Sequence, residues 1–319
     1  MTTTVKMIAL LGIGVLCVPA FAANPARPGT VNFIEGGVFL DGKQVNEKGV
    51  GNVEVNVGEV LSTTSGKAEI LLTPGVFFRL DNNSAVKMIS PSITPTQVEL
   101  QRGRAAVEVD ELYPQNNLEI LDGGVTTQLV KTGYYVFDAS NPTVEVFTGK
   151  AAIRVGDGKY KVVNGHHEIV LAVAAKGKPA SFNVRAATDD FCNWNGLRSQ
   201  YLAEANNEIA GEYAGISGFN PGWYWDPYMW DYTFIGMNPN WSPFGFGFYP
   251  PWGWRGGYWG GGYYGGRYYG GGFRGGYARG YGGGFHGGGS GGFHGGGGGF
   301  HGGGGGGGFH GGGGGGGHR

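Results

Sequence analysis

Apolar and polar residues alternate in short runs through residues 58–89: Ala68, Ile70 and Leu72, then Val76, Phe78 and Leu80, then Ala85, Val86 and Met88. A period of two puts every second side chain on one face of an extended chain, so each run predicts a half-buried strand. Between the runs lie Ser65-Gly66, Pro74-Gly75 and Asp81-Asn82-Asn83, residues that suit turns. Asn82 and Asn83 tolerate left-handed backbone angles, which predicts a tight reversal between the Phe78 and Val86 strands. The same alternation runs back to about Thr30, with Gly36-Gly37 and Asp41-Gly42 expected as hairpin turns. It resumes after Pro95 and continues to Val173. Within it, Gly103-Arg104-Ala105-Ala106 and Gly149-Lys150-Ala151-Ala152 repeat one step. The pattern predicts an all-β fold, either a β-sandwich or a short β-roll or solenoid of short antiparallel strands. About 160 residues of such sheet bury roughly 70% of the surface that the unfolded chain exposes, enough for a core of its own.

The period then changes. Phe191, Trp194, Leu197, Tyr201, Leu202, Ala205 and Ile209 recur at spacings of three and four, and Asp189 and Asp190 precede them. This predicts one amphipathic helix, with its acidic start favoured by the helix dipole, docking on the sheet through that stripe. Gly196 weakens it by about 1 kcal/mol relative to Ala. Residues 219–254 are dense in Trp, Tyr, Phe, Pro and Gly, which forbids a long helix. Their rings suit stacking on sugars, lying at a membrane interface or wrapping back over the β domain. Wrapping is the leading expectation, because so large an exposed apolar patch is unusual on a monomer.

Composition divides the chain further. Of 319 residues 69 are Gly, mostly after Gly253, so the chain is not uniformly globular. The formal net charge of -1 hides an asymmetry, since no Asp or Glu follows Asp231 while Arg255, Arg267, Arg274, Arg279 and Arg319 do. At the other end, Lys6, an apolar run to Val18 and Ala20-Phe21-Ala22 form a secretory signal peptide with cleavage expected before Ala23. Cys192 would then be the only cysteine of the exported chain, a buried thiol on the helix. The expected organisation is a signal peptide over 1–22, a β domain over 28–180, the helix over 188–214, the aromatic segment over 215–254 and a disordered tail over 255–319.

The stretch Gly58, Glu59, Leu61, Thr63, then Gly75, Arg79, Leu80, then Asn83, Ser84 resembles the FecR domain, a bacterial extracytoplasmic all-β module. The resemblance spans about 30–173, although Thr132-Gly133-Tyr134-Tyr135 stands where the family usually shows Gly-Thr before an apolar strand. Asp190-Phe191, Trp194 and Arg198 are similar to a helix that often follows such domains. Better-known members of the family regulate sigma factors across the inner membrane, which implies a signalling regulator as one function. That role uses a cytoplasmic region and a membrane helix before the β domain, and here only a short leader is expected.

Candidate chemistry is sparse. His166, His167 and Glu168 form the tempting cluster, but strand geometry would put His166 and Glu168 on one face and His167 on the other, and two ligands do not close a metal site. No nucleophile elbow, phosphate loop or His-Glu-x-x-His run occurs. An enzyme is not expected, and no cofactor is implied. His286, His294, His301 and His310, each after a Phe and spaced by glycines, are weak metal candidates without a fixed geometry. The tail's Arg-Gly-Gly-Tyr steps resemble RNA-binding tails, but export removes a nucleic-acid partner. Trp223, Trp225, Trp230, Trp241, Trp252 and Trp254 are candidate binding residues, for a carbohydrate in the third reading. The leading expectation is a non-catalytic exported binding or scaffold protein of the periplasm or cell envelope. Its partner would be a protein or an envelope polymer, and its tail would add weak multivalent contacts, including self-association.

Overall fold

The computed structural model describes residues 26–253. The leader over 1–22, the tail over 255–319 with His286, His294, His301 and His310, and Trp254 lie outside the described residues. The chain opens with strands β1 (Val31–Leu40), β2 (Lys43–Gln44), β3 (Val60–Leu71), β4 (Val76–Leu80) and β5 (Ala85–Pro91). It continues through β6 (Thr96–Arg102), β7 (Arg104–Val109), β8 (Leu118–Asp122), β9 (Val125–Leu129) and β10 (Gly133–Asp138). Next come β11 (Thr143–Val146), β12 (Lys150–Val155), β13 (Lys161–Asn164), β14 (His167–Val170) and β15 (Ala180–Ser181). Helices α1 (Val184–Ala187) and α2 (Asp190–Glu212) follow, then hairpin β16 (Gly222–Asp226) with β17 (Asp231–Ile235), and finally β18 (Asn240–Trp241) with β19 (Gly247–Phe248).

One hydrogen-bonded path joins the strands in the order β13-β12-β9-β8-β6-β5-β3-β4-β7-β10-β11-β14-β15. Ile120 of β8, Val163 of β13, Phe78 of β4 and Phe137 of β10 nonetheless share one buried cluster. Strands so far apart along the path can meet only if the sheet folds over, with β5 to β13 as the front half and β4 to β15 as the back half. The fold line is β3, which pairs through 60–62 with β5 and through 68–71 with β4. β1 follows β3 around the bend, where Gly36 faces Gly66. A Cβ on Gly36 would run into the Ser65 carbonyl and one on Gly66 into that of Glu35, so both positions require Gly. Gly36-Gly37 therefore marks a bulge inside β1, not the expected hairpin turn. Asp41-Gly42 does turn the chain, both residues having positive φ, as does Asn83 before β5.

The chain then passes back and forth between halves, each pass adding the next strand outward. The repeated Gly-Arg/Lys-Ala-Ala step makes two of these crossings: at Gly103 from β6 to β7, and at Gly149 from β11 to β12, with φ of 73 and 94. Between them β7 lies in the back half, so β6 and β8 meet as a parallel pair, the exception to the expected antiparallel pattern. The result is a sandwich in section, wound as a short roll. At another crossing His166 has φ 64 and sits in the turn before β14, so it is not the strand neighbour that the sequence suggests.

α2 begins where expected, its N-cap Asp189 accepting a hydrogen bond from the Cys192 N–H. Its buried face differs from the predicted stripe. Phe191, Leu202, Ala205 and Ile209 are inside, but Leu197 and Tyr201 face solvent and Trp194 is half-buried. Asn195, Arg198, Ser199 and Asn206 take the places of the missing apolar residues. Gly196 is explained by Phe244, whose ring edge would lie 3.3 Å from an added Cβ. Because the half-buried Trp194 indole is held by a Glu35 hydrogen bond (3.0 Å), by the Phe33 and Phe191 rings and by Lys67 over its face, Trp194→Ala is expected to cost about 1–2 kcal/mol instead of the 3–5 of a buried ring, measured by urea unfolding.

Candidate functional site

The back half has two faces. Alternation sends Ile70, Phe78, Leu80 and Val107 into the roll and turns Glu69, Phe77, Arg79, Ala106 and Glu108 outward. Register places Glu69 opposite Arg79, Arg79 opposite Ala106 and Phe77 opposite Glu108. α2 and the β16–β17 hairpin cover this outer face, so three charged side chains that strand periodicity aims at solvent become fully buried.

They are buried as a connected network. Arg79 donates through Nε to Glu69 and through Nη1 to Glu108, both at 2.6 Å. Arg198 of α2 donates to Glu69 at 3.0 Å and to Asp231 of β17 at 2.9 Å, with its guanidinium 4.1 Å from the Phe33 ring centroid. Ser199 donates to Glu108 at 2.5 Å and Asn32 to Glu69 at 2.8 Å. Amide side chains extend the seam: Asn32 exchanges two hydrogen bonds with the backbone of Tyr232, and Asn206 bonds the backbones of Phe234 and Tyr249.

Three carboxylates share two guanidinium groups in this network, so one negative charge is in excess. Its effects are unequal. Burial raises the Glu69 carboxyl, but Arg198 and Arg79 on either side outweigh it and hold the group at about 2. Asp231 has only Arg198, and burial pushes it up to about 6. Asp110, just past the end of β7, is held well above the carboxylate range by burial and then by the Glu108 charge. The members of the network are buried and bonded to one another, and together they fasten α2 and β17 to the roll.

The predicted site residues scatter. Trp223 and Trp225 pack partly buried beside Phe77, Phe234 and Tyr232, whereas Trp230, Trp241 and Trp252 are exposed. The aromatic segment thus wraps the sheet with most of its described rings and presents Tyr228, Trp230, Trp241 and Trp252 to solvent. Cys192 is buried and unpaired, and burial pushes its thiol up to about 11, an unreactive state at neutral pH. Among the described residues no group of three or more His, Cys, Asp or Glu is placed to hold a metal ion, and no helix is long and apolar enough to cross a membrane. The buried network went unread in the sequence. Its one signal was a second stripe on α2, Asn195, Arg198, Ser199, Leu202 and Asn206, at the same three-and-four spacing.

The family model described as FecR protein matches residues 58–178. No curated protein sequence matches the chain. Two solved structures of a candidate anti-sigma factor from Parabacteroides distasonis are similar to it, each with TM-score 0.35 and 13% identity over 40% of this chain. The aligned part is 62% of that protein, less than two thirds of its length. The matched span holds Glu69, Arg79 and Glu108, while Arg198 and Asp231 lie beyond it. The network therefore joins the span that matches the FecR model to the helix and hairpin that follow it.

Proposed function

We propose that this chain, whose residues 58–178 are a FecR domain, is a non-catalytic signalling regulator of the FecR type, working in the periplasm or cell envelope through a protein partner. The family match carries the reading, because the FecR members that the sequence resembles regulate sigma factors. In this role the roll is the body that meets the partner. α2 and the hairpin, fastened by Glu69, Arg79, Arg198 and Asp231, keep that body in one shape. A second reading, an envelope scaffold, is favoured by the exposed Trp230, Trp241 and Trp252. Deleting the gene and restoring the full chain separates them. The regulator reading expects the transcripts served by one sigma factor to change and return on complementation, with a protein crosslinked to the roll. Unchanged transcripts together with crosslinks to envelope polymer would overturn it in favour of the scaffold.

A further inference from the structure

Pro227, Tyr228, Met229 and Trp230 form the tip between β16 and β17 and carry no charge. Tyr228 is 78% exposed, Met229 40% and Trp230 71%. Trp230 has φ 57, the left-handed region that bulky side chains rarely occupy, so its outward position is held against a local cost. Trp225 holds it from below, edge-on at 6.2 Å between centroids, and Trp225 itself lies over Gly51, where a Cβ would come within 2.5 Å of the indole.

The backbone N–H groups of the tip are already taken up. The buried Asp226 accepts hydrogen bonds from the N–H of Tyr228 at 2.7 Å and of Met229 at 3.3 Å, and its carbonyl accepts from the N–H of Trp230 at 2.9 Å. Proline has no N–H to satisfy. The carboxylates at both ends of the tip, Asp226 and Asp231, are turned inward and buried. Three consecutive exposed side chains can therefore leave water without uncovering an unpaired backbone N–H or a charge, while the Tyr228 hydroxyl and the Trp230 indole N–H suit the headgroup level. Tyr and Trp are also the side chains that settle at the headgroup level of a bilayer. Sugar recognition asks for the opposite, namely free hydrogen-bonding groups placed beside the ring.

We propose that the Pro227–Trp230 tip is an interfacial anchor that inserts into a lipid surface. This stands independently of the regulatory reading, since it concerns where the folded part rests and not what it signals. The test is sedimentation of the full chain with phosphatidylcholine vesicles in about 0.5 M salt, which screens charge attraction from the basic tail. Trp230→Gly suits the φ of 57 and removes only the ring, and Tyr228→Ser leaves an exposed turn intact, so both variants should unfold at wild-type temperature or above. Wild-type protein is expected to sediment with the vesicles, and the double variant to lose at least about tenfold in partitioning. Brominated lipid should quench wild-type tryptophan fluorescence more than that of Trp230→Gly. Equal partitioning of wild type and double variant, or none by either, would overturn the proposal. So would ring-dependent retention on insoluble glycan with none on vesicles.

Discussion

Arg79→Met is expected to be the most damaging single substitution in the described part of the chain, costing about 3–5 kcal/mol of unfolding free energy, or roughly 10 °C in melting temperature. Arg79 is fully buried and bonds two fully buried carboxylates. Met fills similar volume but leaves those charges in the interior, and an unpaired buried charge costs more than the pair ever contributed. The loss is uneven. Glu69 keeps Arg198 and Asn32, whereas Glu108 keeps only Ser199 beside Asp110. Adding Glu108→Gln to Arg79→Met should therefore recover much of the stability. Adding Glu69→Gln should recover little, because it leaves Glu108 without its cation and takes one of two carboxylates from Arg198, which keeps Asp231. Urea midpoints of the full chain and these variants measure both effects, and unchanged slopes would confirm that only stability has moved. A loss below about 1 kcal/mol for Arg79→Met would mean that water reaches the site and solvates the carboxylates.

The roll was legible in the sequence because its inner face obeys alternation: Ile70, Phe78, Leu80 and Val107 are where a period of two puts them. Asp41-Gly42 and Asn83 turn the chain for the expected steric reason. Gly36 misled because a glycine that permits a turn equally permits a bulge, and only its pairing with Gly66 distinguishes them. The repeated Gly-Arg/Lys-Ala-Ala step was visible, but its meaning as a crossing between halves depends on which strands pair. The seam beneath α2 was hidden for a deeper reason. Glu69, Arg79 and Glu108 alternate with apolar residues as solvent-facing charges do, and nothing local announces that a helix far along the chain, α2 at Asp190–Glu212, will cover them. On that helix the apolar stripe drew attention to Leu197 and Tyr201, yet Arg198 and Ser199 are the buried neighbours. A polar contact face is chosen by its partner's chemistry, and that partner is distant in sequence. The FecR resemblance, which included Arg79, marked the position without its role.

Acidification from neutral pH is expected to stabilise the fold, contrary to the usual loss from paired carboxylates. Asp231 is raised from 3.8 to about 6, first by burial and against the pull of Arg198. A carboxyl raised in the folded state binds its proton more tightly there than in the unfolded chain. Stability therefore falls as pH rises between about 4 and 6, and the full penalty is present above that window. Two units correspond to about 2–3 kcal/mol. Asp122, lifted to about 6 by burial and by Asp138, adds in the same direction. Glu69 acts oppositely but elsewhere: its value of about 2 supplies stability that is complete above its unfolded value of 4.5 and lost only in stronger acid. Melting temperature should accordingly climb from about pH 7.5 to about pH 5 and drop again below about pH 4. Asp231→Asn leaves two carboxylates with two guanidinium groups and keeps an acceptor for Arg198, so it should raise stability at neutral pH and flatten the climb, with Asp122 and the other carboxyls that burial raises, Asp81, Asp110, Glu111, Glu145 and Glu208, accounting for what remains. A climb of undiminished size in Asp231→Asn would place the titrating proton elsewhere in the seam, with Asp110 beside Glu108 the next group to replace.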